Sequence, residues 1–443
     1  MKIINYLKEI LKKRFNRENF LAYIKIFGCQ QNEADAEKIC GFLKFLGFNF
    51  TDDILVADLI LFETCAVRHT AEEKILAHIG NLKNIKKANN NIFIAICGCM
   101  VEQENIRNYI QEKFGFIDLI CGAKIIENFP ELFYEKLTGK KLNNFCNIHV
   151  SQVLQKNKFK AWVPIISGCN NFCSYCIVPY VRGPEKSKDY NQILDYCKKI
   201  IKNGSKIITL LGQNVNSYFY NNFNFSDLLK EIDNINGEFA IRFMTSHPKD
   251  FNKNLVDTLA SLKHFSNHLH LPVQSGNNKI LKFMNRKYTR EEYIEKINYA
   301  REKIKNLVIT SDIIVGFPGE TNLEFEDTVS LIKKIQFASI FNFIYSPRVG
   351  TAAFNMQDNI SHDEKVRRIS KIIKIQEKIS QEFLSGFVGT NLKVVIEENF
   401  ANKSIARSKS NLIIELEEKF NVGDIISVKI ISSKRNSLIG KKI

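Results

Sequence analysis

No apolar stretch of this chain is both long and unbroken. The longest run without a charged residue, Ala161 to Val181, would reach across a bilayer by length alone, but Pro164, Gly168, Asn170, Asn171, Ser174 and Pro179 interrupt it. It reads as a strand and a loop, and no membrane is expected among the partners. A continuous apolar segment of the kind a signal peptide carries is also missing from the N-terminus. Residues 1–20 instead set Lys2, Lys8, Lys12, Lys13, Arg14 and Arg17 around Ile3, Leu7, Ile10 and Leu11. That pattern predicts a basic amphipathic helix, either a cap on the domain that follows or a contact for RNA or a membrane surface. Without an export signal the expected location is cytoplasmic, where the 11 cysteines stay reduced, so metal binding, catalysis or burial must explain them. Internal repeats and low-complexity tracts are absent. Acidic residues are in deficit: 63 Lys and Arg stand against 47 Asp and Glu, a net charge of +16 that favours a polyanion such as nucleic acid.

What is present is the composition of a globular α/β protein. Hydrophobic residues make up 45% and charged residues 25% of the 443, enough chain for about three domains. After the 1–20 extension, residues 21–150 alternate apolar runs (Tyr23 to Phe27, Leu59 to Phe62, Ile92 to Ile96, Leu119 to Ile120) with helical patterns near Glu33 to Leu46, Ala71 to Ile85, Val101 to Lys113 and Ile125 to Leu137. Such alternation predicts a parallel sheet with helices on its faces and ligands at the carboxyl ends of the strands. A polar linker near Ser151 to Lys160 opens a second alternating region, 151–385, with strands expected at Val163 to Ser167, Ile207 to Leu211, Ala240 to Met244, His268 to Pro272, Val308 to Val315 and Ile340 to Tyr345. Six such units fit an open β/α barrel or a doubly wound sheet. A helix from His362 to Leu384, begun by a capping box from Ser361 to Glu364, is expected on its exterior. Residues 386–443 switch to period-two alternation at Leu392 to Ile396, Leu412 to Leu416 and Ile425 to Ile431, which predicts a small β-barrel. Its ten basic and six acidic residues describe either a solvated surface or an RNA-binding one.

The strongest local signal is Gly168-Cys169-Asn170-Asn171-Phe172-Cys173-Ser174-Tyr175-Cys176, placed just past the first strand of the second region. Three thiolates on one tight loop can hold three irons of a cubane cluster and leave the fourth open. Zinc would want a fourth nearby Cys or His, and a thioredoxin-like Cys173-Cys176 pair would leave Cys169 unexplained. A second set comprises Cys29 in Phe27-Gly28-Cys29-Gln30-Gln31-Asn32, Cys65 in Glu63-Thr64-Cys65-Ala66-Val67-Arg68, and Cys99 in Gly98-Cys99-Met100. Each follows a predicted strand, so adjacent strands of one parallel sheet would gather the three thiols at one edge; small buried cysteines placed by chance are the alternative. Cys121 also sits at a strand end. Cys40, Cys97 and Cys197 read as core, and Cys146 is uninformative. His247, His268 and His270 read as buried core histidines.

The CxxxCxxC loop resembles that of the radical S-adenosylmethionine (SAM) enzymes, and the resemblance implies a partial (β/α)6 radical-SAM barrel. It further implies a 4Fe-4S cluster chelating SAM, with Tyr175 beside the cofactor, Gly212 and Gln213 in Leu210-Leu211-Gly212-Gln213-Asn214 near its amino group, and Ile313 and Gly316 in Ile313-Ile314-Val315-Gly316-Phe317-Pro318-Gly319-Glu320-Thr321 near its adenine. Together with Cys29, Cys65 and Cys99 the pattern is similar to the methylthiotransferase branch, and Gly28-Cys29-Gln30-x-Asn32, Thr64-Cys65-Ala66-Val67-Arg68 and Ile177-Val178-Pro179-Tyr180-Val181-Arg182-Gly183 are closest to its MiaB members. Two residues depart from that pattern: Gln31 where methionine is usual and Glu63 where asparagine is usual.

The resemblance implies two 4Fe-4S clusters and a TRAM-like C-terminal domain that binds RNA. The implied reaction places a methylthio group on carbon 2 of N(6)-dimethylallyladenosine at tRNA position 37. One SAM would methylate sulfur held at the N-terminal cluster and a second would supply the radical, because an unactivated ring C–H offers no useful acidity to a side chain. Sister activities on threonylcarbamoyladenosine or on a ribosomal protein aspartate would keep both clusters. A metal-stabilised RNA-binding protein is the non-enzymatic alternative. Expected partners are the tRNA anticodon stem-loop, SAM and an electron donor such as flavodoxin or ferredoxin, with the chain a monomer. Tyr180 and Arg182 are candidate RNA contacts by their proximity to the cluster loop.

Overall fold

The protein, a computed structural model, is described at residues 2–66, 69–141 and 153–443. Val67, Arg68, Cys146 and the first two residues of the expected linker lie outside the described residues. The chain divides into two compact units: Met1–Lys156 with Ser167–Asn170 and Ile177–Glu185, and Asn157–Ile166 with Asn171–Cys176 and Lys186–Ile443.

The first unit runs α1 (Lys2–Phe15), β1 (Phe20–Phe27), α2 (Gln30–Phe45), β2 (Phe48–Phe50), β3 (Leu59–Thr64), α3 (His69–Ala88), β4 (Phe93–Gly98), α4 (Glu104–Lys113), β5 (Leu119–Gly122) and α5 (Phe129–Thr138). All five strands are parallel in the order β2-β1-β3-β4-β5. That order reverses direction between β1 and β3, the place where doubly wound sheets open a crevice. Every residue of β3 and β4 is buried, because helices cover both sheet faces and leave no side for polar alternation. One face packs against α1, α2 and α5, the other against α3 and α4. The basic helix α1 is a cap: Ile4, Leu7, Leu11 and Phe15 repeat at helical spacing and all enter the core, while Arg14 ion-pairs with Asp118 at 3.0 Å. A returning segment adds α6 (Val178–Arg182), whose Ile177 and Val181 pack with Ala66, Cys99 and Ala123.

The second unit continues with β6 (Lys160–Pro164), β7 (Ile166–Ser167, its last residue in the first unit), β8 (Lys186–Ser187), α7 (Tyr190–Lys202), β9 (Ile207–Leu211), β10 (Phe219–Tyr220), β11 (Phe223–Asn224), α8 (Phe225–Asp233), β12 (Ala240–Phe243), α9 (Lys253–Ser261), β13 (His268–His270), α10 (Asn278–Phe283), α11 (Arg290–Lys303), β14 (Val308–Val315), α12 (Asn322–Ile335) and β15 (Ser339–Ile344). Parallel neighbours β6-β9-β12 and β13-β14-β15 are joined by a parallel bridge between Ile241 and Phe265. Strand order follows chain order, which is the open-barrel arrangement; a doubly wound sheet would reverse. Ile208, Leu210, Ile241, Phe243, Leu269, Ile309 and Ile313 face the helix-covered core. By strand alternation Arg242, His268, His270, Thr310, Asp312 and Phe341 take the opposite, inner face.

Helix α13 (His362–Ser385) lies on the barrel exterior, where Gln376 Nε2 donates to Phe337 O and Ser380 Oγ to Ala338 O, both at 2.8 Å. The expected capping box is half made: Ser361 Oγ accepts from Glu364 N–H at 3.2 Å, but the Glu364 carboxylate turns to Arg367 and Arg368. A closed barrel follows, β16 (Asn391–Phe400), β17 (Lys403–Ser408), β18 (Ile413–Leu416), β19 (Ile425–Ser433) and β20 (Leu438–Lys442), ordered β16-β17-β18-β20-β19. It rests against the β/α barrel through Arg242, which donates to Ser408 O at 2.8 Å and faces Glu397, itself held by Arg407 at 2.9 Å.

Candidate functional site

The first cysteine set is built by strand ends. β1, β3 and β4 are side by side, and Cys29, Cys65 and Cys99 are the residues at or just past their carboxyl ends. Cys29 is the N-cap of α2, its backbone N–H and its thiol both on Asn32 Oδ1 at 3.2 Å. Gly98 turns β4 into Cys99 at φ +105°, and Cys99 N–H donates to Thr64 O at 2.9 Å. A hydrogen bond from Cys65, with the Asn32 contact and the Arg182 charge, lowers the Cys29 thiol to about 6. Burial pushes Cys99 up to about 12, against the pull of Arg182.

Arg182 is the centre of this set. Its Nε donates to Cys99 Sγ at 3.2 Å and its Nη2 pairs with Asp35 Oδ2 at 2.9 Å, with 7% of the arginine side chain and 2% of the aspartate exposed. The RNA contact expected of Arg182 is therefore corrected: the guanidinium is spent inside the first unit. Tyr180 on the same helix is exposed. Both departures from the MiaB pattern fall in the same network. Gln31 donates to Asp35 at 3.0 Å, and Glu63 accepts from Asn32 Nδ2 at 2.9 Å. Burial first, and then the Asp35 charge, raise the Glu63 carboxyl well above its usual range. Gln31 Oε1, Asp35 Oδ2, Glu63 Oε2 and Arg182 Nη2 remain buried without an aligned hydrogen-bond partner.

Cys121 lies within β5 and pairs in register with Cys97; both enter the α1-α2-α5 core, and the Cys121 thiol points to Ile125 O at 3.7 Å. Cys197 is core and Cys40 is half-buried.

In the second set Cys169 belongs to the first unit, its N–H on Gly183 O at 3.2 Å, and Cys173 and Cys176 belong to the second. Gly168 sits at φ +74°, where a Cβ would meet Pro184 O at 2.0 Å, so only glycine admits this entry to the loop. Within the second unit the loop is fastened to the end of α10. Ser174 N–H and Oγ donate to Met284 O and Phe283 O, and Asn285 Nδ2 donates to Phe172 O at 2.9 Å. Arg286 donates to Cys173 Sγ at 3.4 Å, and Tyr175 packs with Ile280, Met284, Ile314, Phe317 and Tyr345.

Of the expected SAM contacts, Gly212 ends β9 in close contact with Ile166, and Gln213 carries a buried Oε1 without a partner. Gly316 turns at φ +69°, with its N–H on Glu320 Oε2 at 2.7 Å and Glu320 ion-paired to buried Arg368 at 2.8 Å. Ile313 differs from expectation: its side chain is in the helix-covered core, and its neighbour Ile314 is the one beside Tyr175. His247 and His268 are buried and neutral, lowered by burial to about 2 and about 3. Sequence reading singles out His268 and His270 but misses their inner-face partners: Thr310 Oγ1 contacts His270 Nδ1 at 2.9 Å and His268 Nε2 at 3.2 Å, and Asp312 lies 3.4 Å from His270 Nε2. Beside them Phe341 meets the His270 ring edge-on and is 47% exposed.

Among the described residues no three His, Cys, Asp or Glu side chains close on one point as they would around a single ion. A cubane cluster asks for something different, one thiolate per iron with the thiolates held apart. The donor chemistry fits it: all-thiol sets, one beside a buried Arg182 and the other beside a buried Arg286, with no imidazole or carboxylate of the described residues completing a zinc tetrahedron.

Comparison with known proteins matches two stretches of the chain, one holding each cysteine set. Residues 163–332 match the Radical SAM superfamily and residues 21–122 match the "Uncharacterized protein family UPF0004". A tRNA-2-methylthio-N(6)-dimethylallyladenosine synthase from Thermoanaerobacter sp. (strain X514) is 40% identical over 450 residues, covering 99% of this chain and 95% of its own. The synthase of the same name from Clostridium botulinum (strain Hall) is 40% identical over 437 residues, covering 95% and 96%. Among solved structures, the radical SAM methyltransferase TsrM from Kitasatospora setae, with cobalamin and a [4Fe-4S] cluster bound, superposes with a TM-score of 0.57 at 12% identity, over 76% of this chain and 77% of that one. The likeness to TsrM is one of fold.

Proposed function

Because the chain belongs to the tRNA-2-methylthio-N(6)-dimethylallyladenosine synthase family, within the radical SAM superfamily, we propose that it methylthiolates carbon 2 of N(6)-dimethylallyladenosine at tRNA position 37, using one 4Fe-4S cluster on each cysteine set. The observation that carries this reading is the gathering of Cys29, Cys65 and Cys99 at the ends of three adjacent strands around Arg182, in a chain that also holds the Cys169-Cys173-Cys176 loop. A metal-stabilised RNA-binding protein would leave the three-thiol count of each set, one short of a zinc tetrahedron, unexplained.

When bound, a three-thiolate cluster with SAM supplies the radical chemistry that no side chain here can. The chain's own residues would do the rest. Cys29, Cys65 and Cys99 would hold the cluster that carries the sulfur, with Arg182 fixing Cys99. Cys169, Cys173 and Cys176 would hold the other. Tyr175, Ile314, Phe317 and Tyr345 form an apolar wall that keeps water from the reacting atoms. Gln213 Oε1 offers an acceptor to the cofactor's amino group, and the Gly316 turn, its N–H on Glu320 and its Cβ position filled by Lys365, would shape the strand end beside the adenine. For the RNA, unpaired anticodon-loop bases stack on aromatic rings and hydrogen-bond at their edges. Phe341 with Asp312 and His270 supplies both kinds of contact. Lys429 and Lys441, register partners on the exposed side of the C-terminal barrel, supply phosphate contacts. A monomer reduced by a flavodoxin- or ferredoxin-like donor completes the proposal; among the described residues no helix is long and apolar enough to cross a membrane.

The test is mass spectrometry of tRNA nucleosides from a host without its own methylthiotransferase. The expected result is 2-methylthio-dimethylallyladenosine rising as dimethylallyladenosine falls. If both cysteine sets carry iron and that nucleoside never appears, the substrate assignment is wrong, and threonylcarbamoyladenosine and the ribosomal aspartate are assayed instead.

A further inference from the structure

Each cysteine set has one buried guanidinium donating to a sulfur, and the two guanidinium groups differ in counter-charge. Arg182, on Cys99, is matched by Asp35 at 2.9 Å. Arg286, on Cys173, donates its Nε to the Tyr288 hydroxyl at 2.8 Å and its Nη2 to Pro272 O at 2.7 Å. It is 7% exposed, and no carboxylate of the described residues pairs with it. Arginine does not give up its proton in a protein, so this is a permanent buried cation without an anion, an arrangement that folding disfavours unless an anion arrives. A cluster ligated by three thiolates is such an anion.

We propose that Arg286 is the positioning and charge-compensating residue of the cluster on Cys169, Cys173 and Cys176. Its fork ties the Cys173 loop to the backbone beyond β13, and its unmatched charge favours the reduced state of that cluster. The inference rests on the cluster assignment made under Proposed function. Taking one electron from a low-potential one-electron donor makes the site more negative by one charge, with no bond made or broken. A buried cation in contact with a ligand sulfur stabilises the more negative state and raises the reduction potential. Arg182, already neutralised by Asp35, adds no comparable net charge at its own set.

The experiment uses the full chain with Cys29, Cys65 and Cys99 replaced by alanine, so that a single set remains. It is reconstituted anaerobically with iron and sulfide and titrated with dithionite under electron paramagnetic resonance. With iron content equal to the parent's, Arg286→Gln is expected to lower the reduced-to-oxidised ratio at the parent's midpoint at least about tenfold, a shift of about 59 mV for one electron. Arg286→Lys keeps the charge without the fork and is expected to stay within about threefold of the parent. A Gln variant that loads iron fully and titrates like the parent overturns the proposal, as does a Lys variant displaced as far as Gln. Should the Gln variant not load iron, the Lys variant decides alone. A parent that takes up no iron despite an intact Arg286 overturns the cluster assignment and this inference together; full loading with unchanged potentials sinks only the inference.

Discussion

Gly98 is where the sequence, the backbone and the first cysteine set meet, and Gly98→Ala tests that junction. Two costs arise. At φ +105° an alanine is strained by about 1–3 kcal/mol. Its Cβ would also lie 2.2 Å from Thr64 O and 2.6 Å from Glu63 Oε1, far inside contact distance, and relieving that overlap adds about 1–3 kcal/mol. Gly204 provides the control, because it sits at φ +98° with nothing within 4 Å of its Cβ position and so isolates strain from overlap. Gly98→Ala should therefore cost about 1–3 kcal/mol more than Gly204→Ala, read by native-state proteolysis of the full chain, whose cleavage tracks the open population. The overlap also pushes Thr64 O away from Cys99 N–H, now bonded at 2.9 Å, so iron bound after reconstitution should fall to about half in Gly98→Ala and stay whole in Gly204→Ala. Equal costs and equal iron in the two variants would refute the claim that this close approach sets the position of Cys99.

Replacing Cys173 with alanine should abolish reductive SAM cleavage, whereas Cys65→Ala should leave cleavage intact and stop sulfur insertion; chromatography of 5′-deoxyadenosine beside the modified nucleoside separates the two. His247 and His268 are lowered by burial to about 2 and about 3, so the unfolded chain binds protons that the folded one refuses. Each should therefore destabilise the second unit as pH falls below about 6.5, by about 2 kcal/mol at pH 5, and His268→Gln should flatten urea midpoints measured between pH 7 and 5. Lys429 and Lys441 are exposed register partners, and replacing both with glutamine should weaken tRNA binding and reduce the slope of log affinity against log salt by about one to two; an unchanged slope removes them from the RNA contact.

The strands most legible in the sequence are those buried on both faces: β4 carries no polar side chain and β3 is apolar from Leu59 to Phe62 before Glu63 and Thr64, and their ends align Cys65 with Cys99. Strands β17 and β20 escaped notice because Lys403, Arg407, Lys441 and Lys442 give their outer faces the look of a loop, and β2 is three residues long. Ile313 and Ile314 show a subtler limit. Strand β14 was placed correctly, but naming the wrong one of two adjacent residues sends the side chain to the opposite face of the sheet. The cysteine sets announce themselves by spacing, whereas Arg182 and Arg286 do not, since a lysine- and arginine-rich sequence offers no mark that separates a buried guanidinium from a solvated one. Only the packing of α6 on Cys99 and of the Arg286 turn against Pro272 does that.

The first unit is not a contiguous stretch of gene. It takes Ser167–Asn170 and Ile177–Glu185 from beyond the point where the second unit has already begun, and among them is Arg182, the partner of Asp35 and Cys99. Domains usually fold from the N-terminus as the ribosome releases them. Here the N-terminal sheet can form early, but a fragment stopped at Lys156 leaves Asp35 buried without its cation and strips Ile177 and Val181 from the packing around Cys99. The nascent chain must emerge past residue 185 before that half is whole. Shuffling this N-terminal unit onto another protein by a single splice would deliver it incomplete.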